Sequence, residues 1–229
     1  MPVKRKHSGD DARTPCIVDV ILFDFGGVLA DEGFKNGLVA IASQHGMEPG
    51  PFLKTGFDLV HKTGYVMGKA DEKAYWQALR EATGIQENDE LLRKEILERF
   101  SLRTWMMDLV KELRKSGVVT GILSDQTNWL DELNERYDLF KWFDFIFNSY
   151  RLGKSKSDET LFDDVLTEMK VKAERVLFID DHPGNIERAR KRGLQTLWYQ
   201  DCKSFVEKFR NFCPLSLFTE CAAGEARGG

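Results

Sequence analysis

The sequence alternates short apolar runs with longer stretches of helical periodicity, and this alternation limits the chain to few architectures. Residues 16–23 (CIVDVILF) form the first apolar run and are rich in β-branched side chains. Such runs are typical of strands buried on both faces, as in a parallel sheet. Four further runs follow, at residues 118–123 (VVTGIL), 143–147 (FDFIF), 175–179 (RVLFI) and 194–199 (LQTLWY).

Helical patterns separate most of these runs, with apolar residues concentrated on one side of each. They cover residues 104–115, 128–137, 158–170 and 183–192. Pro183 at an early helical position and Gly193 just past the end are typical helix boundaries. Strands that alternate with helices predict right-handed βαβ units and a parallel α/β sheet.

The segment that follows the first run breaks this alternation. From residue 33 to 99 the periodicity is helical only, with breaks at Pro49-Gly50 and Thr83-Gly84. We therefore expect roughly four helices here, inserted as a cap into an α/β core at 16–32 and 100–213. The ends of the chain, 1–15 and 214–229, are expected to be a disordered leader and a flexible tail.

The net charge and the length of the apolar stretches limit the classes of partner that this chain can have. The formal net charge is only −4, whereas nucleic-acid binding needs a concentrated basic face. No apolar stretch is long enough to span a membrane. We expect a monomer or homodimer with no nucleic-acid and no membrane partner.

The four cysteines have no CxxC spacing, so free, reduced thiols in a cytoplasmic protein are expected.

Reactive side chains follow four of the apolar runs. Loops at the carboxyl ends of the strands of a doubly wound sheet converge on one crevice, so these side chains are expected to meet. Carboxylates with a hydroxyl and an ammonium group suit a phosphate held with Mg²⁺, because this ion prefers hard oxygen ligands. The residues are Asp24 after the first run, Ser124 and Asp125 after the second, Lys154 and Lys156 after the third, and Asp180 and Asp181 after the fourth.

Four segments resemble, in order, the four motifs of the haloacid dehalogenase superfamily. The first is similar to DxDx(T/V)L, and the third to GxxKPD with Ser157 in place of the proline. Each motif alone is weak, but four in order at predicted strand ends are a specific signal. The segments are FDFGGVL at 23–29, LSD at 123–125, GKSKSD at 153–158 and FIDD at 178–181.

The resemblance runs from residue 17 to 199, which is nearly the whole predicted fold. It implies a Rossmann-like parallel sheet of strand order 5-4-1-2-3 flanked by helices. The helical insertion is similar to the cap of subfamily I. The D-x-G-x-V pattern that begins at Asp24 resembles a branch that includes sugar-1-phosphate phosphatases.

The resemblance also implies catalytic roles. Asp24 would attack phosphorus and form an aspartyl-phosphate, which splits one difficult step into two. Ser124 and the backbone amide of Asp125 would bind the phosphoryl oxygens. Lys156 would neutralise the charge of the nucleophile and the phosphate, and we prefer it to Lys154, which is expected to be solvated.

A Mg²⁺ ion is implied in the same way. Asp24, the backbone carbonyl of Gly26 and Asp181 would hold the ion, with Asp180 close behind. The ion would screen the charge that develops during phosphoryl transfer.

Gly26 departs from the pattern of the family's phosphatases, which usually have a second Asp there as general acid and base. Such help is typically worth about 10²–10⁴-fold in rate. Its loss is tolerable if the leaving group is good, as in a sugar 1-phosphate or an acyl phosphate, or if another group substitutes. Asp31, Gln126 and His182 are the candidates on nearby loops.

We therefore expect a Mg²⁺-dependent phosphatase that acts on a small phosphorylated metabolite. One alternative is a 2-haloacid dehalogenase, in which the Asp attacks carbon and needs neither metal nor acid. The family's dehalogenases have Tyr at the place of Gly26, and Asp180-Asp181 suits a cation. Another alternative is a catalytically weak member that binds or regulates, and the missing acid at Gly26 favours it.

Overall fold

Five parallel strands form the centre of the protein, in the order β3-β2-β1-β4-β5. The structure is a computed structural model that describes residues 16–214. The predicted order 5-4-1-2-3 is confirmed, because it is the same order read from the other edge. The strands are β1 (Val20–Phe23), β2 (Val119–Ser124), β3 (Phe145–Asn148), β4 (Val176–Asp180) and β5 (Gln195–Trp198).

Residues 33–99 contain helices and turns but no strand, as the helical periodicity predicted. Asp71 and Asn88 begin two of them by accepting hydrogen bonds from Ala74 N at 2.8 Å and Leu91 N at 2.9 Å, which satisfies free amides of the first turn. A 3₁₀ turn at Tyr65–Met67 joins the second and third. The helices are α1 (Gly33–Gln44), α2 (Pro49–Lys62), α3 (Glu72–Thr83) and α4 (Asp89–Leu97).

The remaining helices cover the sheet. Helix α5 has the bounds predicted from the sequence, and the others start or end within two residues of the prediction or were not predicted. The short α7 and the final α10 belong to this last group. The helices are α5 (Thr104–Lys115), α6 (Trp129–Tyr137), α7 (Ser149–Leu152), α8 (Thr160–Met169), α9 (Pro183–Lys191) and α10 (Cys202–Phe209).

Strand β1 lies in the middle of the sheet and is buried on both faces. Ile21 and Phe23 pack into one apolar cluster, and Val20 and Leu22 pack into another on the opposite face. Burial of a large apolar side chain stabilises a fold by about 1.5–3 kcal/mol. The larger cluster continues into the helical insertion, so this insertion is packed on the core.

The cysteines are not free thiols, and that expectation is wrong for the described residues. Cys16 and Cys213 form a disulfide, Cys202 is disulfide-bonded as well, and no free cysteine occurs among residues 16–214. Ile17 N donates to Phe212 O at 2.8 Å, so the segments before β1 and after α10 run side by side. Spacing along the chain does not reveal such a pair, because the fold brings it together.

The predicted leader at 1–15 lies outside the described residues, and so does the predicted tail apart from Pro214. Within residues 16–214, the helices are too short or too polar to cross a bilayer.

Candidate active site

The carboxyl ends of the neighbouring strands β2, β1 and β4 lie side by side, and each strand is followed there by an aspartate. Phe23 of β1 is in register with Ile122 of β2 and Ile179 of β4. The next residues along each strand therefore meet. One carboxylate oxygen from each of Asp24, Asp180 and Asp181 lies within 4.8 Å of the others. The predicted convergence at the strand ends is what the structure has.

Asp24 lies at the centre of this cluster and is 8% exposed. Its Oδ1 accepts hydrogen bonds from Phe25 N at 2.7 Å and from Ser124 Oγ at 2.6 Å. Its Oδ2 is 2.7 Å from Lys156 Nζ. Burial raises the pKa of the Asp24 carboxyl well above its usual value; Lys156 opposes this rise, while Asp180 and Asp181 add to it.

Of the two predicted lysines, Lys156 is the one that lies in the carboxylate cluster. Its Nζ is 2.7 Å from Asp24 Oδ2 and 2.7 Å from Asp180 Oδ2, and the residue is 1% exposed. Burial lowers the pKa of this ammonium, but Asp180, Asp24 and Asp125 raise it more, so the net pKa is raised. Lys154 instead pairs with Asp164 on α8, away from the cluster.

Asp180 is fully buried and its oxygens have protein partners. Oδ1 accepts from His182 N at 2.7 Å, both oxygens lie 3.1 Å from Asn185 Nδ2, and Oδ2 accepts from Lys156 Nζ. These bonds fix the start of α9 and the ammonium group of Lys156. Asp181 is half-buried and turns towards the cavity, where it is among the lining residues.

The Asp125 carboxylate holds the loop that carries the lysine. Lys156 N donates to its two oxygens at 2.9 and 3.1 Å. Arg188 Nε donates to Lys156 O at 2.7 Å from the other side. The side chain of Asp125 thus positions Lys156, a role that the motif alone did not reveal.

Glu32 is a site residue that the sequence analysis missed. Its carboxyl group shares a hydrogen bond with Asp181, and burial together with the Asp181 charge raises the pKa of Glu32 to about 7. Glu32 lies at the N-cap position of α1. A carboxylate there is ordinarily an exposed helix cap, so no sequence pattern singles it out.

The three candidates for the missing acid lie in different places. Gln126 and His182 line the cavity, whereas Asp31 does not. The side chain of Asp31 is 50% exposed, and its Oδ1 is 3.5 Å from Arg103 Nη2. His182 Nδ1 accepts a hydrogen bond from Gly184 N at 3.2 Å, so this nitrogen serves as a cap of α9.

A cavity of about 300 Å³ opens above the carboxylates. Its floor is polar and comes from the strand ends, and its opposite wall comes from the helical insertion and is mostly apolar. Tyr65 Oη donates to Asn128 Oδ1 at 2.6 Å and Ser149 Oγ to Val66 O at 2.7 Å, which fixes this wall on the core. The wall residues are Phe34, Phe57, Val60, His61 and Val66.

The donor set suits Mg²⁺. Asp24, Asp181 and the adjacent Gly26 line the cavity together, and carboxylate and carbonyl oxygens are the hard ligands that this ion prefers. Burial raises the pKa of Asp24 and of Asp181, and neighbouring carboxylates add to both shifts. A divalent cation would offset this repulsion, which a single buried ammonium does only in part.

Residues 18–193 match a family model described as haloacid dehalogenase-like hydrolase. Among curated proteins, the chain is 31% identical over 115 residues to bifunctional epoxide hydrolase 2 of Rattus norvegicus, a match that covers 47% of this chain and 20% of that protein. The chain therefore spans about a fifth of the length of that relative. It is 26% identical over 201 residues to D-ribitol-5-phosphate phosphatase of Bacteroides thetaiotaomicron, which covers 77% of this chain and 89% of that protein.

Solved structures share the fold. A HAD family enzyme of Bacteroides thetaiotaomicron, in complex with magnesium and inorganic phosphate, has a TM-score of 0.68 at 19% identity and covers 84% of this chain and 100% of its own. An L-2-haloacid dehalogenase of Xanthobacter autotrophicus, with chloropropionic acid covalently bound, has a TM-score of 0.62 at 16% identity, over 84% of this chain and 82% of its own. At these identities the likeness concerns the fold.

Proposed function

We propose that this chain, which belongs to the haloacid dehalogenase-like hydrolase family, is a Mg²⁺-dependent phosphatase of a small phosphorylated metabolite. The surroundings of Asp24 support this proposal most strongly. Its carboxylate lies at the cavity floor between Ser124 and Lys156, with Asp180 and Asp181 beside it. A nucleophile, a hydroxyl, an ammonium group and a cation site then surround one phosphoryl position.

The reaction would proceed in two displacements. A carboxylate oxygen of Asp24 attacks phosphorus, and the bond from phosphorus to the leaving oxygen breaks. The leaving oxygen departs and takes up a proton from the solvent. Water then attacks the phosphorus of the aspartyl-phosphate, the bond to Asp24 breaks, and phosphate is released. Covalent catalysis of this kind divides one high barrier into two lower ones.

The other residues would hold the phosphoryl group in line. Ser124 Oγ and the backbone amide of Asp125 would donate to its equatorial oxygens, and the Lys156 ammonium would neutralise part of its charge. Asp24, the Gly26 carbonyl and Asp181 would hold Mg²⁺, with Asp180 behind them fixing Lys156. The ion, when bound, supplies electrostatic stabilisation of the transferring group.

The proposed substrate is small, since the cavity of about 300 Å³ is closed on one side by the helical insertion. We propose residues 33–99 as a cap domain that excludes water and shapes the pocket. With glycine at position 26, a phosphate ester with a good leaving group needs least help in departure. A monomeric or homodimeric state remains a prediction from the sequence. The cytoplasmic location was predicted from free thiols, and the disulfide-bonded cysteines remove that ground.

Comparison of wild type with Asp24→Asn tests this function. We expect wild type to release phosphate from acetyl phosphate, glucose 1-phosphate or p-nitrophenyl phosphate with Mg²⁺, and to stop when EDTA is added. Asp24→Asn removes the nucleophile and should fall to the rate without enzyme. Asp19→Asn is the matched control, because this half-exposed residue, which pairs with Arg175, directly precedes β1 at the opposite end of the strand from Asp24.

The same assay separates the alternatives. Halide release from a 2-haloacid without Mg²⁺, together with no phosphate release, would identify a dehalogenase. Equal background turnover by wild type and Asp24→Asn across the phosphoester panel would refute the proposal and favour a binding or regulatory protein.

A further inference from the structure

Glu32 is an acidic residue at a helix start whose side chain does not cap the helix. Glu48 and Glu159 also leave their helices without a side-chain cap, but neither lines the cavity. Asp71 and Asn88 accept hydrogen bonds from the first turns of α3 and α4. Glu32 is at the N-cap of α1, yet its side chain accepts no hydrogen bond from the amides of residues 33–44. It lines the cavity with Asp24 and Asp181 instead. The chain thus directs this carboxylate to the site rather than to the helix.

Glycine at position 27 leaves room for this arrangement. Gly27 has a φ of +79°, and a Cβ built on it would lie 2.1 Å from Asp181 Oδ2 and 2.8 Å from Glu32 Oε1. Real Cβ atoms do not approach that closely, so the two carboxylates occupy the space of a side chain. They lie against the same backbone segment from which Asp24 and the Gly26 carbonyl would reach the cation.

Glu32 also borders the space that a side chain at position 26 would fill. A Cβ on Gly26 would lie 3.7 Å from Glu32 Oε2. A longer side chain at position 26 would therefore compete with Glu32 for this volume. The second Asp that the family's phosphatases usually have at this position is absent here, and the carboxylate of Glu32, just before α1, borders the space that it would fill.

The backbone around Glu32 is fixed. Asp31 N donates to Ser101 O at 2.9 Å, and a Cβ on Gly33 would lie 2.3 Å from the Phe100 ring. Close packing against Phe100 and the bond to residue 101 anchor the start of α1 on both sides. The approach of Glu32 to Asp181 therefore results from the packing of the insertion on the core.

Charge argues for a cation between these groups. The Lys156 ammonium is already 2.7 Å from both Asp24 and Asp180. Asp181 and Glu32 both lie against Gly27, and two neighbouring carboxylates repel unless a proton or a cation lies between them. Mg²⁺ binds through carboxylates and commonly keeps waters that a further carboxylate can hold.

We propose that Glu32 is a further carboxylate of the cation site, placed beside the space that a side chain at position 26 would fill. The inference rests on the proposed function in so far as the cation is Mg²⁺. Glu32 then contributes to the affinity for Mg²⁺ beside Asp181, either at the ion or at a water that it carries. Loss of a group that supports metal ligands typically weakens metal affinity by about 10–100-fold.

Metal binding by the full chain, without any substrate, tests this role. The affinity for Mg²⁺ is measured by calorimetric titration and by the rise of Tm with Mg²⁺ concentration. We expect Glu32→Gln to weaken binding by about 10–100-fold. Asp31→Asn is the matched control, because it removes the same charge from the adjacent residue, which lies outside the cavity, and it should bind as wild type does.

A second variant guards against a general disturbance of the loop. Glu32→Ala should lose affinity, and Gly26→Asp in the Glu32→Ala background should restore most of it, since the new carboxylate enters the space that Glu32 leaves. A Cβ at position 26 meets nothing closer than Gln126 Nε2 at 3.6 Å, so the substitution fits.

The outcomes separate this inference from the proposed function. If wild type binds Mg²⁺ and hydrolyses phosphoesters, and Glu32→Gln binds Mg²⁺ equally well, the role of Glu32 is overturned and the phosphatase stands. The same holds if Glu32→Gln loses hydrolysis at unchanged Mg²⁺ affinity, because Glu32 would then act on the substrate. If wild type binds no Mg²⁺, both fail.

Discussion

At the scale of single residues, Lys156 is the side chain on which the geometry of the site depends most. Its ammonium lies between Asp24 and Asp180, and it is 1% exposed. Removal of one partner of a buried ion pair typically costs about 3–5 kcal/mol, because an uncompensated charge stays behind. In the proposed function the same lysine also prepares the nucleophile, so its loss should affect both stability and activity.

We predict that Lys156→Met abolishes phosphate release and lowers the free energy of unfolding by about 3–5 kcal/mol, measured by urea denaturation. Lys156→Arg should retain more stability but little activity, since a guanidinium does not fit a site built for one ammonium. Lys154→Met is the control, because Lys154 pairs with Asp164 at the surface. Comparable activity losses in the two Met variants would show that the wrong lysine has been assigned.

Among the predicted residues of the site, the positions of those at strand ends agree best with the structure. Asp24, Ser124 and Asp180 were predictable, because buried strands are readable from composition and parallel strands bring their carboxyl ends together. Glu32 was not, since its approach to Asp181 depends on how α1 packs against Phe100. The positioning role of Asp125 likewise depends on a bond to Lys156 N that no local pattern encodes.

At the scale of elements, the short helix α7 connects the helical insertion to the core. Ser149 at its start is 1% exposed; its Oγ donates to Val66 O at 2.7 Å, and Gln126 O lies 3.2 Å away as a second acceptor. Val66 belongs to the 3₁₀ turn of the insertion, and Gln126 follows β2. One hydroxyl therefore holds the cavity wall above the cavity floor.

We predict that Ser149→Ala destabilises the protein by about 1–3 kcal/mol, because it leaves buried carbonyl groups without their donor. The loss should be concentrated at the insertion, so amide hydrogen exchange should accelerate at residues 65–67 more than in β1. Ser204→Ala at the surface of α10 is the control. Uniform acceleration across the whole chain would contradict a local role of this hydroxyl.

Helix α10 was not predicted, although its sequence has the pattern of an amphipathic helix. Asp201 accepts from Ser204 N at 2.9 Å, and Cys202, Phe205 and Phe209 are buried. A cap residue followed by apolar residues at helical spacing is the ordinary signal of an amphipathic helix. The segment was assigned to the core at 100–213, but no helix was predicted within it.

At the scale of the whole molecule, the disulfide between Cys16 and Cys213 joins the two ends of the described fold. The residues are 197 apart in sequence, so the bond restrains the unfolded chain more than a local one would. Neither cysteine was predicted to be paired, because sequence spacing does not show which distant segments are neighbours. The sheet order, by contrast, follows general rules of connection and was predictable.

We predict that reduction, or the double substitution Cys16→Ser/Cys213→Ser, lowers the free energy of unfolding by about 2–5 kcal/mol. The rate of phosphate release should change little below the melting transition, because the pair lies at the edge of the sheet opposite Asp24. Denaturation with and without reductant measures the first effect, and phosphate release the second. An unchanged free energy of unfolding would contradict a stabilising crosslink.

The central claim is that Asp24 takes up a phosphoryl group, and trapping that group tests it most directly. The protein is mixed with acetyl phosphate and Mg²⁺, quenched in acid within the first turnover, digested and analysed by mass spectrometry. We predict a phosphoryl group on the peptide that contains Asp24, its release by hydroxylamine, and its absence in Asp24→Asn. A phosphoryl group on another residue, or phosphate release by wild type with no trapped adduct in a burst experiment, would contradict the account.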